Sequence, residues 1–278
     1  MPFLAAAASG LLAHYGLDVG IVEPAPGPEN VRRVAAGGAD FCLTSVTHYL
    51  RARAQSGALA ARFVAIVTQR HPMAGIVRAD SRLARPADLG SQRVGGPTDS
   101  ALVAEYRAGL DWLGLAPPVL VPVDYSEAPA ALGRGEVDVV PDFADLVPRT
   151  RRQAGVPVRA VSLGVEVYGS GLVAADRVPA DVVERMRSAL AAALVAQRHD
   201  PTAGVDQLET RYPEVDPADA VEGWRLVEPN IFTGVEPGSM ETGRWADTIA
   251  WTATAHGFEP PEPHTVYRPE LALAAADR

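Results

Sequence analysis

The sequence predicts an α/β protein built from two units. Three observations carry this expectation. Short apolar, β-rich runs alternate with helical patterns along much of the chain, as in a doubly wound, mostly parallel sheet. The 278 residues suit two domains at the usual ~150 residues each. A turn-rich joint, Arg85-Pro86-Ala87-Asp88-Leu89-Gly90, interrupts the alternation, and a second series of strands and helices follows it.

Phe3, Leu4, Ala7, Leu11 and Leu12 recur near helical spacing, with Gly16 as a C-cap. Residues 17–22 alternate as a strand, and Glu29 to Ala36 resembles a short helix closed by Gly37-Gly38. Residues 39–43 form a short strand, and Thr44-Ser45 precede a helix from Val46 to Gln55. Two apolar runs follow, Phe63 to Thr68 and Ala74 to Val77. Beyond the joint, Arg93 to Gly95, Pro117 to Val123 and Val137 to Val140 read as strands. The stretches from Ala101 to Leu113 and Ser126 to Leu132 read as helices. Ala180 to Arg198 is the clearest later helix, with Val183, Met186, Leu190 and Leu194 on one face. Asp216 to Ile231 is a further helix, and the proline-rich tail from Gly257 to Glu270 reads as an extended strap. Trp112, Trp224, Trp245 and Trp251 fall in or near helical patterns as core residues.

Composition narrows the function classes. Hydrophobic residues make up 47 % and charged residues 21 %, enough for a sizeable core. The net charge of -9 disfavours nucleic acid and anionic membrane surfaces as partners. Every basic residue is arginine, which excludes chemistry that needs a lysine Schiff base. Cys42 is the single cysteine, so no internal disulfide forms. No run of 18 apolar residues occurs, and residues 1–10 lack the positive n-region of a signal peptide. Localisation is left open, since an export signal ahead of this start would escape view.

Three stretches together carry a family resemblance. The first is the opening helix with Tyr15-Gly16-Leu17-Asp18-Val19 and Gly38-Ala39-Asp40-Phe41 after it. The second is Pro86-Ala87-Asp88-Leu89-Gly90-Ser91-Gln92-Arg93-Val94-Gly95, and the third is Gly135-Glu136-Val137-Asp138-Val139. Their order and spacing, over most of the chain up to about residue 200, resembles substrate-binding proteins of the SsuA/ThiY type, which include binding subunits of sulfonate and thiamine-pyrimidine importers. The resemblance implies the type II periplasmic-binding-protein fold, with lobe one over residues 1–88 and 168–278 and lobe two over 89–167. The crossings would fall near Ala79 to Asp88 and near Ser162 to Ser170. It further implies closure around a small-molecule ligand for an ABC permease, with no cofactor and no metal. Family members open with a strand that contacts ligand, and that strand is not matched here.

In open α/β sheets, ligands sit beyond the carboxyl ends of strands, so residues just after strands are the candidates. Thr44 and Ser45 either hold an acid group with the helix N–H groups or simply cap the helix. His48 lies one turn on, at the cleft or on the surface. Gln69 and Arg70 follow a strand, and Arg70 suits a carboxylate or sulfonate clamp. Thr98, Asp99 and Ser100 form the favoured site, where Asp99 suits a ligand amine or ring N–H more than an anion. Asp142 offers an acceptor and Phe143 a stacking surface. Tyr168 and Ser170 lie at the return crossing. The expected ligand is an aromatic or heteroaromatic, sulfonate-like or carboxylate-bearing compound.

No GxSxG, HExxH, Walker A or GxGxxG motif occurs, and no catalytic residue is assigned. Cys42 and His48 are six apart, but a cysteine inside a buried strand is inert. Asp142 and Asp145 suit one helix face without making a metal site. Two alternatives come with the resemblance: an enzyme on the same fold, as in fungal-type pyrimidine synthases or a sulfinate desulfinase, and a cytoplasmic ligand sensor. The synthases carry a cysteine-rich motif and a cofactor lysine, and a chain with one cysteine and no lysine departs from both.

Overall fold

The computed structural model describes residues 1–25 and 27–273. The last five residues of the expected first lobe, 274–278, lie outside the described residues. The strands divide between two sheets, the first paired antiparallel throughout and the second mixed. The first holds β1 (Phe41–Ser45), β8 (Ser170–Ala175) and β2 (Ala61–Ile66), in the order β1-β8-β2. The second holds β6 (Val140–Phe143), β3 (Met73–Arg78) and β7 (Val158–Ser162), in the order β6-β3-β7. A parallel pair, β4 (Arg93–Gly96) and β5 (Val119–Pro122), extends it through a parallel bridge between Val94 and Val139.

This pairing corrects the expectation of mostly parallel sheets. β1 and β2 run the same way, and so do β4, β5, β6 and β7. The two strands that carry the chain between sheets, β3 and β8, run against their neighbours. A strand that enters a lobe from the cleft must point away from it, opposite to strands that end there. The first crossing also lies earlier than expected. β3 bonds only to second-sheet strands, Met73 to Phe143 and Ala74 to Ser162 among them, so the chain crosses at 67–72. Arg85 to Gly90 is a turn, with Pro86–Leu89 as a 3-10 helix, but it lies inside the second lobe and feeds β4. The return runs through 163–169, between β7 and β8.

Helices cover both sheets. α1 (Pro2–Ala8) and α2 (Leu11–His14) split the expected first helix at Gly10, whose φ of 76° breaks it. α3 (Glu29–Ala35), α4 (Val46–Ser56) and α8 (Ala180–His199) pack on the first sheet. α5 (Ala101–Trp112), α6 (Ala128–Arg134) and α7 (Val147–Ala154) pack on the second. α9 is Val205–Arg211, α10 is Pro217–Ile231 and α11 is Thr242–His256. Residues 17–22 alternate but form no strand: Leu17 and Val19 pack on the first core while Val22 is 61 % exposed. Trp112 stands half exposed instead of in the core.

The first core centres on fully buried Trp245, stacked on Tyr267 at 5.2 Å and tilted against Phe63 at 5.1 Å and Tyr168 at 5.2 Å. The tail runs as a strap but is not extended throughout, since 3-10 turns form at Pro263–Thr265 and Pro269–Leu271. Phe63 N donates to Val266 O and Arg268 N to Phe63 O, pinning the strap beside β2. α10 and α11 join the lobes. α11 places Trp245 in the first core and Trp251 in a core of the second lobe. α10 places Val227 against the first core and Leu226 against the second lobe. Among the described residues, no helix is long and apolar enough to cross a membrane.

Candidate functional site

The carboxyl ends of β1, β2, β5 and β6, the amino end of α5 after β4, and the amino ends of β3 and β8 meet at one cavity of about 540 Å³. Ser45 ends β1, Val67 and Thr68 follow β2, Tyr125 follows β5, and Asp142 and Phe143 end β6. His71 and Pro72 precede β3, and Gly169 and Ser170 open β8. Ala101, Leu102 and Glu105 come from α5, and Thr47 and His48 from α4. Helices that join or flank the lobes close the apolar side with Phe3, Leu190, Leu194, Trp224, Val227 and Ile231. The space falls within the 300–1,000 Å³ usual for small-molecule sites and, like most, sits between lobes.

The two crossings are bonded to each other at the cavity floor. Val67 N and Thr68 N donate to Ser170 O at 2.8 and 3.1 Å, and Gly169 N donates to Thr68 O at 3.0 Å. The hydroxyls of Thr68 and Ser170 lie 2.8 Å apart. Glycine is required at 169, because a Cβ there would sit 2.5 Å from Thr68 Oγ1 and 2.9 Å from Pro72 Cδ.

Glu105 anchors a buried cluster between the lobes. Its Oε1 lies 3.3 Å from His256 Nε2 and its Oε2 lies 3.5 Å from His71 Nε2. Burial alone would raise its carboxyl. The His256 hydrogen bond, the charge of His71 and the nearby Thr47 hydroxyl hold it below its ordinary value instead. Burial pulls the His71 and His48 imidazoles below their ordinary values. Asp142 is 4 % exposed and accepts hydrogen bonds from Tyr125 Oη at 2.9 Å and Phe143 N at 2.9 Å. Burial pushes its carboxyl up to about 6. Burial raises Asp145 as well.

Of the residues singled out in the sequence, Ser45, His48, Asp142, Phe143 and Ser170 line the cavity. Ser45 also caps α4, its Oγ accepting from His48 N at 3.1 Å. The others lie off the cavity wall. Thr44 is buried inside β1. Gln69 turns away, donating to Ser239 O at 3.0 Å. Arg70 is engaged by Glu166 at 2.8 Å. Thr98 and Asp99 are exposed, and Ser100 caps α5 by accepting from Val103 N at 3.2 Å. Tyr168 is buried in the aromatic core, its hydroxyl accepting from Glu241 N at 2.8 Å. Asp142 and Asp145 share the cavity wall but no helix, since one ends β6 and the other sits in the 3-10 turn after it. Burial pushes the Cys42 thiol up to about 12, so it carries no thiolate near neutral pH.

His71, Glu105, Tyr125 and Trp224 also line the cavity and stand outside the candidates that the sequence offers. Glu105 had a signal: it interrupts the buried stripe of Val103, Tyr106, Gly109 and Leu110 on α5, where a carboxylate costs energy unless paired.

A family model described as NMT1/THI5 like matches residues 1–203. Among solved structures, the alkanesulfonate-binding protein SsuA from Xanthomonas axonopodis pv. citri, bound to MOPS, superposes with a TM-score of 0.63 at 17% identity, covering 99% of this chain and 94% of that one. The periplasmic aliphatic sulphonate binding protein SsuA from Escherichia coli gives a TM-score of 0.70 at 15% identity, over 96% of this chain and 88% of that one. The desulfurization enzyme DSZB gives 0.62 at 17% identity, over 97% of this chain and 94% of that one. No protein of curated function matches the sequence. At these identities the likeness establishes the fold, the type II periplasmic-binding-protein fold, and leaves ligand and chemistry to the site itself.

Proposed function

Because the chain belongs to the NMT1/THI5-like family, matched over residues 1–203, we propose that it is a solute-binding protein that holds one small organic molecule between its lobes and releases it unchanged. One observation carries this reading. Strands of both lobes end at a single, largely apolar cavity of about 540 Å³, bordered by the two crossings. Motion about crossings of this kind is the standard way such lobes open and close. Support for an ABC-importer role comes from fold neighbours: SsuA of Xanthomonas and of Escherichia coli are binding proteins, and a neighbour from Staphylococcus aureus is the ligand-binding component of an ABC-type import system. A membrane permease is then the partner.

A second reading is an enzyme on the same frame. Its support is the DSZB neighbour together with the Glu105, His71 and His48 groups in the cavity wall, which suit proton transfer. Thermal-shift screening with amines, pyrimidines, sulfonates, phosphonates and carboxylates, followed by mass spectrometry of the stabilising compound, separates the two. A ligand at 100 times its dissociation constant adds about 2.7 kcal/mol of stability. Recovery of the compound intact supports binding, and recovery of an altered compound refutes it in favour of the enzyme.

A further inference from the structure

This inference rests on the cavity being the ligand site. We propose that the cavity takes a cation, a protonated amine or amidine on a flat apolar body, with Asp142 as its charge partner, and rejects sulfonates and carboxylates.

Every charged side chain that lines the cavity is acidic: Glu105, Asp142 and Asp145. Among the described residues no arginine lines it, and the chain has no lysine. Two nearby arginines, Arg70 and Arg244, are engaged with other groups, and Arg149 faces Asp142 from an exposed position. Arg70 pairs with Glu166, Arg244 covers the Tyr168 ring, and Arg149 stands 5.8 Å from the Tyr125 ring centre. Burial lowers the His48 and His71 imidazoles and so disfavours their charged forms. The helix N-termini are partly spent on internal acceptors. Val46 N donates to Gly169 O at 2.9 Å, His48 N to Ser45 Oγ at 3.1 Å and Val103 N to Ser100 Oγ at 3.2 Å. An anion would therefore meet Glu105, Asp142 and Asp145 with the exposed Arg149 beside Asp142 as counter-charge and no arginine on the described cavity wall, a costly arrangement.

The wall also has acceptors in need of donors. Glu105 is 3 % exposed, and its Oε2, 3.5 Å from His71 Nε2, is buried with no well-formed hydrogen bond among the described residues. His71 Nδ1 is likewise buried and unpartnered. Asp142 faces Tyr125, the Phe143 N–H, Asp145 and Arg149, and as a carboxylate it retains lone pairs for a ligand N–H. Phe3, Tyr125, Phe143 and Trp224 line the same space, and aromatic faces attract cations as well as flat apolar bodies.

The test uses probes matched on one phenyl body: 2-phenylethylamine, benzamidine, 2-phenylethanol, 3-phenylpropionate and 2-phenylethanesulfonate. Affinities are read by ligand-observed NMR at pH 7.5 and pH 5. At pH 7.5 the amine and amidine bind at least about tenfold tighter than the alcohol, and the two anions bind weakest. Between pH 7.5 and 5 the amine loses about tenfold in affinity, as Asp142, with its carboxyl near 6, takes up a proton. Asp142→Asn weakens amine binding about tenfold or more and removes that pH dependence, and it changes alcohol binding by a smaller factor than amine binding. Should Asp142→Asn fail to fold, the pH dependence of the wild-type protein carries the same test. Tighter binding of either anion, or amine binding indifferent to pH and to Asp142→Asn, overturns the inference alone. Absence of binding by every probe, together with a blank thermal-shift screen, overturns the solute-binding reading as well.

Discussion

Asp142→Asn should make the empty protein more stable at pH 7.5. The Asp142 carboxyl goes from 3.8 to about 6 on folding, with burial as the largest cause. A group whose folded value is raised costs nothing below its unfolded value and its full penalty above its folded value. The cost is thus absent below pH 3.8 and complete above about 6. Two units correspond to roughly 3 kcal/mol. Asparagine removes this penalty but has one acceptor oxygen for the two donors, Tyr125 Oη and Phe143 N, which returns about 1 kcal/mol. The net gain is about 1–2 kcal/mol at pH 7.5, or roughly 3–6 °C in Tm for a chain of this size. Urea denaturation of both proteins at pH 7.5 and pH 4.5 measures it. The gain should shrink as the pH falls and the wild-type carboxyl takes up its proton. A variant that is destabilised at pH 7.5, or whose advantage persists undiminished at pH 4.5, would refute the reasoning. Stability given up at a cleft residue is what a binding role for Asp142 implies.

Three further outcomes follow from the packing and titration of the molecule. Trp245→Ala should cost about 3–5 kcal/mol in a denaturant melt, because the indole is fully buried among Phe63, Tyr168 and Tyr267; a loss below about 1 kcal/mol would contradict that packing. In Gly223→Ala the new Cβ would meet Asp145 O at 2.6 Å, where α10 crosses onto the second lobe. The roughly 1 kcal/mol gain in helix propensity should be outweighed by about 1–3 kcal/mol of overpacking, and ligand affinity should fall as the turn carrying Asp145 shifts; a raised Tm with unchanged affinity would count against it. His71 is lowered on folding by burial, so the unfolded chain binds more protons near pH 6 and this contribution to stability is lost as pH falls through the unfolded value of about 6.5. His71→Gln should therefore flatten the stability profile between pH 7.5 and 5.5, and an unchanged slope would mean that His71 does not titrate as described.

The alternation of apolar strands with helices was legible because each βα unit is local. Ser45, Asp142 and Phe143 reach the cavity from the carboxyl ends of their strands, His48 from the first turn of α4, and Ser170 from the amino end of β8. Pairing across long separations was not legible. β8, Ser170–Ala175, lies between β1 and β2 at more than a hundred residues' distance in sequence, and nothing in Ser-Gly-Leu-Val-Ala-Ala announces an antiparallel partner. Residues 17–22 show the converse, since alternation without a partner makes no strand. Thr98 and Asp99 follow β4 yet stay exposed, because the helix that begins at Ala101 turns Leu102 and Glu105 to the cavity instead. The apolar side of the site comes from α8 and α10, whose Leu194 and Trp224 read in sequence as ordinary core positions.

Hydrogen exchange of the whole protein, with and without the compound that stabilises it most, tests the central claim most directly. The account predicts added protection at residues 67–72, 101–105, 140–146 and 168–170, the segments of both lobes around the cavity. Protection confined to the separate surface groove of Leu4, Ile21, Gln207 and Arg211, or to one lobe only, would contradict it.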